Sequence, residues 1–173
     1  GDNIDGLQCV DLTQRELANG EVRIRVHAVS LNYRDLMVAS GNYLVNVDNP
    51  IIPCSDGAGE VLAVGHGVTR LQVGDRVAAS FFPHWQDGRT SAINIRHALG
   101  GDIDGMLAEE VVLHEDGLVK IPPQLSYVEA ATMPCAGVTA WNAIFESSNG
   151  IKPGDTALLL GTGGVSVLGL QLA

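Results

Sequence analysis

The run Thr156 to Leu160 is apolar on both faces, and Gly161, Gly163 and Gly164 follow it at once. A strand of that kind is stable only inside a sheet covered on both sides, where central parallel strands sit. The run therefore demands neighbouring strands, and none is at hand before the sequence stops at Ala173. Thr156 to Ala173 is also 18 residues without a charge, the length of a membrane span. Glycines 161, 163, 164 and 169 speak against that reading, because each lowers helix propensity by about 1 kcal/mol.

The rest of the sequence is written mostly in strands. Val22, Ile24, Val26 and Ala28 alternate with Arg23, Arg25 and His27, the period of a sheet with one buried face. Asn19-Gly20 before them is a turn signal. Residues 59–65, 74–80 and 108–122 read as further short strands bounded by glycine, and Asp116-Gly117 between Leu113 and Leu118 predicts a hairpin. Short strands at this spacing suggest a closed or nearly closed β-barrel. The pattern changes after Pro122. Ser126 and Glu129 form a capping box that starts a short helix. Ala136, Val138, Ala140, Trp141, Ile144 and Phe145 then keep helical spacing up to Gly150, and these two helices mark a domain border. The long stretch from Phe82 to Ile103, with Trp85, has little regular patterning and reads as a substrate-side loop.

Charge bears on the choice of partner. With 20 acidic and 10 basic residues the chain carries a formal charge of −10, and the basic residues are scattered, which excludes a nucleic-acid surface. Cys9, Cys54 and Cys135 form no CxxC pair, so neither a disulfide framework nor a zinc ribbon is expected. A reducing, cytoplasmic setting fits them best. No basic-then-apolar leader follows Gly1, so no secretory signal is expected.

The glycines after Leu160 have a chemical reading. In a dinucleotide-binding βαβ unit one glycine makes a tight turn, the next lets the backbone approach a pyrophosphate, and the helix N-terminus offers free N–H groups to its charge. Gly161, Gly163, Gly164, Val165 and Ser166 occupy those positions. A tight turn without a ligand is the plainer alternative. Ser166 stands where the sixth position of GxGxxG falls, and the residue that separates NAD from NADP belongs about 20 residues further on.

Five segments in order carry a family resemblance: VSLNYRD from Val29, PCSDGAGEVLAVGHGVTRLQVGDRV from Pro53, GMLAEEVV from Gly105, ATMPCAGVTAW from Ala131 and GTGGVS from Gly161. They resemble the medium-chain dehydrogenase/reductase superfamily, in its zinc-lacking, quinone-oxidoreductase-like branch labelled alcohol dehydrogenase-like. The resemblance implies a mainly β fold with an α/β C-terminal part. A GroES-like catalytic barrel would span residues 1–125, with an N-terminal strand missing, and residues 126–173 would hold linker helices and the first βα unit of a truncated Rossmann domain.

Zinc-using relatives place Cys, His and Cys where this sequence has Asn32, Ser55 and Cys135, so no catalytic zinc is expected. Their structural-zinc lobe carries four cysteines in the region corresponding to about Pro83–Gly105, where this sequence has none, and His66, His84, His97 and His114 read as isolated residues. The resemblance further implies a hydride-transferring oxidoreductase that uses NADP or NAD, with NADP favoured. Its substrate is a small molecule with a carbonyl, quinone or activated C=C group, and the full-length protein is a homodimer. Asn32 and Tyr33 are the catalytic candidates, because an amide and a phenol can both donate to the oxygen that gains charge. Capping by Asn32 and packing by Tyr33 are the plainer roles. Asp35 orients the loop. Asn32, Cys135 and Thr139 are expected beside the cofactor, although a small thiol packed at a helix start is the commoner role for Cys135 and an inward-facing threonine an ordinary one for Thr139. A non-catalytic, cofactor-binding member of the same fold is the alternative, and residues 1–173 alone are not expected to hold cofactor stably.

Overall fold

The computed structural model describes residues 3–43, 50–146 and 150–173. Five antiparallel strands make up the sheet: β1 (Glu21–Ser30), β2 (Asp56–Val64), β3 (Arg76–Ala79), β4 (Glu110–His114) and β5 (Leu118–Lys120). Their order is β4-β1-β2-β3-β5. The alternation in β1 sends Val22 and Ile24 inward to complete burial, where they meet Val61, Val77, Leu118 and Met106. Before β1, Gly20 turns with φ +75°, as Asn19-Gly20 predicts.

The hairpin expected at Asp116-Gly117 does not form. β4 pairs with β1 and β5 pairs with β3, so strands adjacent in sequence lie at opposite ends of the sheet. A 3₁₀ turn, Glu115–Gly117, joins them, and the two ends of the sheet meet there, as a nearly closed barrel requires. Two contacts override the local turn signal. The buried Glu115 carboxylate accepts N–H bonds from Thr69 (3.1 Å) and Arg70 (2.7 Å). Gly117 is needed for space and not for positive φ, since a Cβ there would come within 2.7 Å of Pro83 Cβ.

The outer face of β1 to β3 is covered by α2 (Tyr127–Ala131). Its start is the predicted capping box: Glu129 N–H donates to Ser126 Oγ at 3.2 Å, and Ser126 N–H donates to Glu129 Oε2 at 2.8 Å. Ala130 and Ala131 pack against Ala58 and Ile121, a second core on the other side of the sheet. The Tyr127 ring stacks on His27 at 4.4 Å and lies under the Arg76 guanidinium at 4.6 Å. A short helix, α1 (Tyr33–Ala39), follows β1, and the loop through residues 82–103 contains no regular element beyond one bridge, Leu99 with Ile103.

Beyond α2 the chain stays helical through a π-turn (Met133–Gly137), α3 (Val138–Trp141) and a second π-turn (Asn142–Glu146). The last helix, α4 (Gly164–Leu172), packs on this segment. Gly169 is the contact point, where an added Cβ would sit 3.3 Å from Leu159 and 3.4 Å from Ile144. The strand expected over residues 156–160 is not formed: among the described residues this run has no ladder partner, leaving Leu158 and Leu160 more than 80% exposed (82% and 83%). Among the described residues no helix is long and apolar enough to cross a membrane.

Candidate functional site

Register brings the site together. Ser30 at the end of β1 pairs with Asp56 at the start of β2, so Asn32, two residues on, arrives beside Ser55 and Asp56. Asn32 Nδ2 donates to Asp56 Oδ2 at 3.0 Å and more weakly to Ser55 Oγ at 3.5 Å. Ser55 Oγ in turn donates to Asp56 Oδ1 at 3.3 Å. Packing of α2 on the barrel carries the following π-turn to the same place, where the Cys135 backbone N–H donates to Asp56 Oδ2 at 3.3 Å. Ser55 and Asp56 are both fully buried.

Asn32 occupies the N-cap position of α1, as one of its expected roles required, and the Asp35 carboxylate accepts from the Asn32 backbone N–H at 2.8 Å. Behind this loop Cys54 adopts φ +69°, a left-handed conformation rare for a residue with a side chain. It is strapped there from outside. Its carbonyl accepts from Met106 N–H at 2.7 Å, and glycine is required at 100 and 105 because a Cβ would reach the Cys54 backbone at 2.7 and 2.1 Å.

The electrostatics follow from burial. Desolvation raises the Asp56 carboxyl above its ordinary range, against the lowering effect of the Asn32, Cys135 and Ser55 donors. Burial first, with help from Asp35, pushes the Cys54 thiol up to about 12. The Cys135 thiol is raised too, by burial and then by Asp56. Beside the cluster the Arg34 guanidinium lies between the rings of Tyr43 (4.9 Å) and Phe81 (4.6 Å) and donates to the Leu99 carbonyl at 2.8 Å.

Of the residues singled out from sequence, Asn32 and Cys135 therefore meet, through Asp56. Thr139 lies one turn beyond Cys135 and donates back to its carbonyl at 2.7 Å. Tyr33 is outside the cluster, 79% exposed at the first turn of α1. The glycine turn approaches the same helical segment, with an added Cβ on Gly164 3.8 Å from Ala136. Gly161 has φ +89°, Val165 is exposed, and Ser166 Oγ donates to the Leu160 carbonyl at 3.1 Å. Gly163 has ordinary dihedrals, φ −74° and ψ 172°, and among the described residues no atom fills the space of a side chain there.

Asp56 was not among the sequence candidates, although it is the only charged residue between Ile51 and Gly59. An acid isolated among small and apolar residues was the available signal. For a metal, the donor set is poor: the amide nitrogen of Asn32 and the hydroxyl of Ser55 are turned toward a carboxylate, and the Cys135 thiol resists ionisation. Among the described residues no group of three or more His, Cys, Asp or Glu side chains is placed to hold a metal ion. His66 bonds Asn19, His114 accepts from the Asp116 N–H, and the rings of His84 and His97 stand edge to face at 5.6 Å.

Residues 18–123 match the alcohol dehydrogenase GroES-like domain. A zinc-type alcohol dehydrogenase-like protein of Schizosaccharomyces pombe is 44% identical over 160 residues, covering 92% of this chain and 46% of that protein. Among solved structures, an NAD-dependent alcohol dehydrogenase matches with a TM-score of 0.82 and 34% identity, over 94% of this chain and 49% of the other. The quinone oxidoreductase of Pseudomonas syringae pv. Tomato matches with a TM-score of 0.74 and 29% identity, over 99% of this chain and 46% of the other. The chain spans about half the length of the curated relatives it matches.

Proposed function

The chain belongs to the alcohol dehydrogenase family of the medium-chain dehydrogenase/reductase superfamily, and on that footing we propose that it is the barrel and cofactor-cleft portion of a zinc-independent oxidoreductase. Residues 1–125 are the catalytic barrel, and residues 126–173 are the linker helices and the opening βα unit of a Rossmann domain. The observation that carries the reading is the convergence of Asn32 and Cys135 on buried Asp56, at the junction between the barrel and the helix on which α4 packs.

A nicotinamide cofactor, NAD or NADP, fits the residues present; when bound it supplies or accepts the hydride. Gly163 supports that fit, because its lack of a side chain serves no contact among the described residues and leaves the backbone open to a diphosphate. The N–H groups at the start of α4, from Gly164, Val165 and Ser166, face the same turn and have no partner inside the helix. Cys135 and Thr139 are the residues that would hold the cofactor's nicotinamide end. Tyr33, whose phenol is exposed, donates to the oxygen of a carbonyl or quinone as it gains charge, in place of a zinc ion. The zinc-type and NAD-dependent alcohol dehydrogenases and the quinone oxidoreductase among the relatives support hydride transfer as the reaction class.

The test is oxidation of NADH and NADPH by the purified full-length protein with a panel of enals, quinones and ketones, together with its zinc content. Turnover of at least one class with substoichiometric zinc supports the proposal. Cofactor binding without any turnover points to the non-catalytic member of the fold, and activity that disappears with a chelator and returns with zinc overturns the zinc-independent part.

A further inference from the structure

An amide has two ends of opposite character, and its neighbours decide which end turns which way. An ionised carboxylate only accepts, so an amide beside one must present its nitrogen. Asn32 Nδ2 lies 3.0 Å from Asp56 Oδ2 and 3.5 Å from Ser55 Oγ, both on the buried side of the residue. The remaining donors to Asp56 are the Cys135 N–H and the Ser55 hydroxyl, each at 3.3 Å. Asp56 is fully buried, so these three groups take the place that water would have.

Resting on the reading of this cleft as the reaction site, we infer that Asp56 is its positioning residue. It holds the amide nitrogen of Asn32 inward and the backbone of Cys135 against the barrel, so that the carbonyl oxygen, which also faces the Asp35 backbone N–H in the capping box of α1, is the one end of the Asn32 amide left to a bound molecule. Asn32 then recognises a hydrogen-bond donor, such as an alcohol O–H or a carboxamide N–H. The oxygen that gains charge during reduction is served by another group. Three elements are fixed at one point: the end of β1 through Asn32, the start of β2 through Asp56 itself, and the helical segment after α2 through Cys135.

Hydrogen exchange of side-chain amides reads this arrangement directly. The full-length protein is labelled with 15N-asparagine, and Asn32→Ala identifies the Asn32 signals. We expect the Asn32 Nδ2 protons to exchange at least tenfold more slowly than those of Asn142, which is exposed. Asp56→Ala should bring the two rates together, and Asp56→Asn, which keeps one acceptor oxygen and the shape of the side chain, should give an intermediate rate. Equal rates in the unsubstituted protein would overturn the inference, and that measurement does not depend on any variant folding. A carboxylate with a merely structural role would shift thermal stability and leave the amide signal unchanged. The readout needs no turnover. A protected amide in a protein that transfers no hydride refutes the oxidoreductase reading alone, and an unprotected amide in an active enzyme refutes this inference alone.

Discussion

Replacing Glu115 by alanine tests how the barrel closes. Its carboxylate is 6% exposed and accepts two backbone N–H bonds, from Thr69 at 3.1 Å and Arg70 at 2.7 Å. Removing it strands both donors. Each orphaned buried donor costs about 1–3 kcal/mol, and because this corner is only partly shielded, water recovers some of that, leaving about 2–3 kcal/mol for the pair. Both N–H groups share Oε2, which a glutamine oxygen can replace, while its NH₂ takes the Oε1 position 3.2 Å from the Thr69 nitrogen, so Glu115→Gln should lose about 1 kcal/mol. Urea unfolding followed by far-ultraviolet circular dichroism gives both values, with an unchanged m-value showing that the unfolded reference is the same. Amide exchange at Thr69 and Arg70 should accelerate in the alanine variant. The reasoning is refuted if Glu115→Ala lies within about 0.5 kcal/mol of the unsubstituted protein, the usual range of a surface change, or if glutamine is the more damaging of the two.

Gly163→Val should weaken nicotinamide cofactor binding at least tenfold in the full-length protein while leaving its thermal midpoint unchanged, since nothing among the described residues occupies that space; titration calorimetry and a melt check the two halves. The Arg15–Glu21 pair, at 2.6 Å, holds the Glu21 carboxyl at about 2, below its ordinary 4.5, mainly through the Arg15 hydrogen bond. A depressed folded-state value stabilises above the ordinary one and ceases to do so as pH falls through 2. Glu21→Gln should therefore cost about 1 kcal/mol at pH 7, a modest figure because Arg15 is solvated, and nothing below pH 2, as read by unfolding at a series of pH values. Cys54, buried and pushed up to about 12, should resist iodoacetamide at pH 8 while exposed Cys9 is alkylated, which peptide mass spectrometry would show; equal modification of the two would contradict the burial.

What could be read in advance was whatever depends on neighbours in sequence. The alternation of Val22 to Ala28 gives β1, and Ser126 with Glu129 gives the start of α2, because each signal and its physical cause lie within a few residues. The Asp116-Gly117 signal failed for the opposite reason. It is outweighed by Thr69, Arg70 and Pro83, more than thirty residues distant in sequence. Asp56 escaped in the same way: its partners Asn32 and Cys135 come from both sides of it in sequence, and glycine, alanine and serine neighbours suggest a turn as readily as a buried strand. Asn32 was recognised, but the direction of its amide depends on Asp56 and could not be read without it. The run 156–160, expected as a central strand, forms none, because the neighbours that would bury its two apolar faces are not among the described residues.

The order of strands has a consequence for synthesis on the ribosome. Once β1, β2 and β3 have emerged they can pair with one another, but the outer edges of β1 and β3 both stay bare. A single later stretch, Glu110–Lys120, supplies the cover for both, β4 on one side and β5 on the other. A nascent chain halted before that stretch displays two sticky borders at once, and the arrival of a few more residues removes both together.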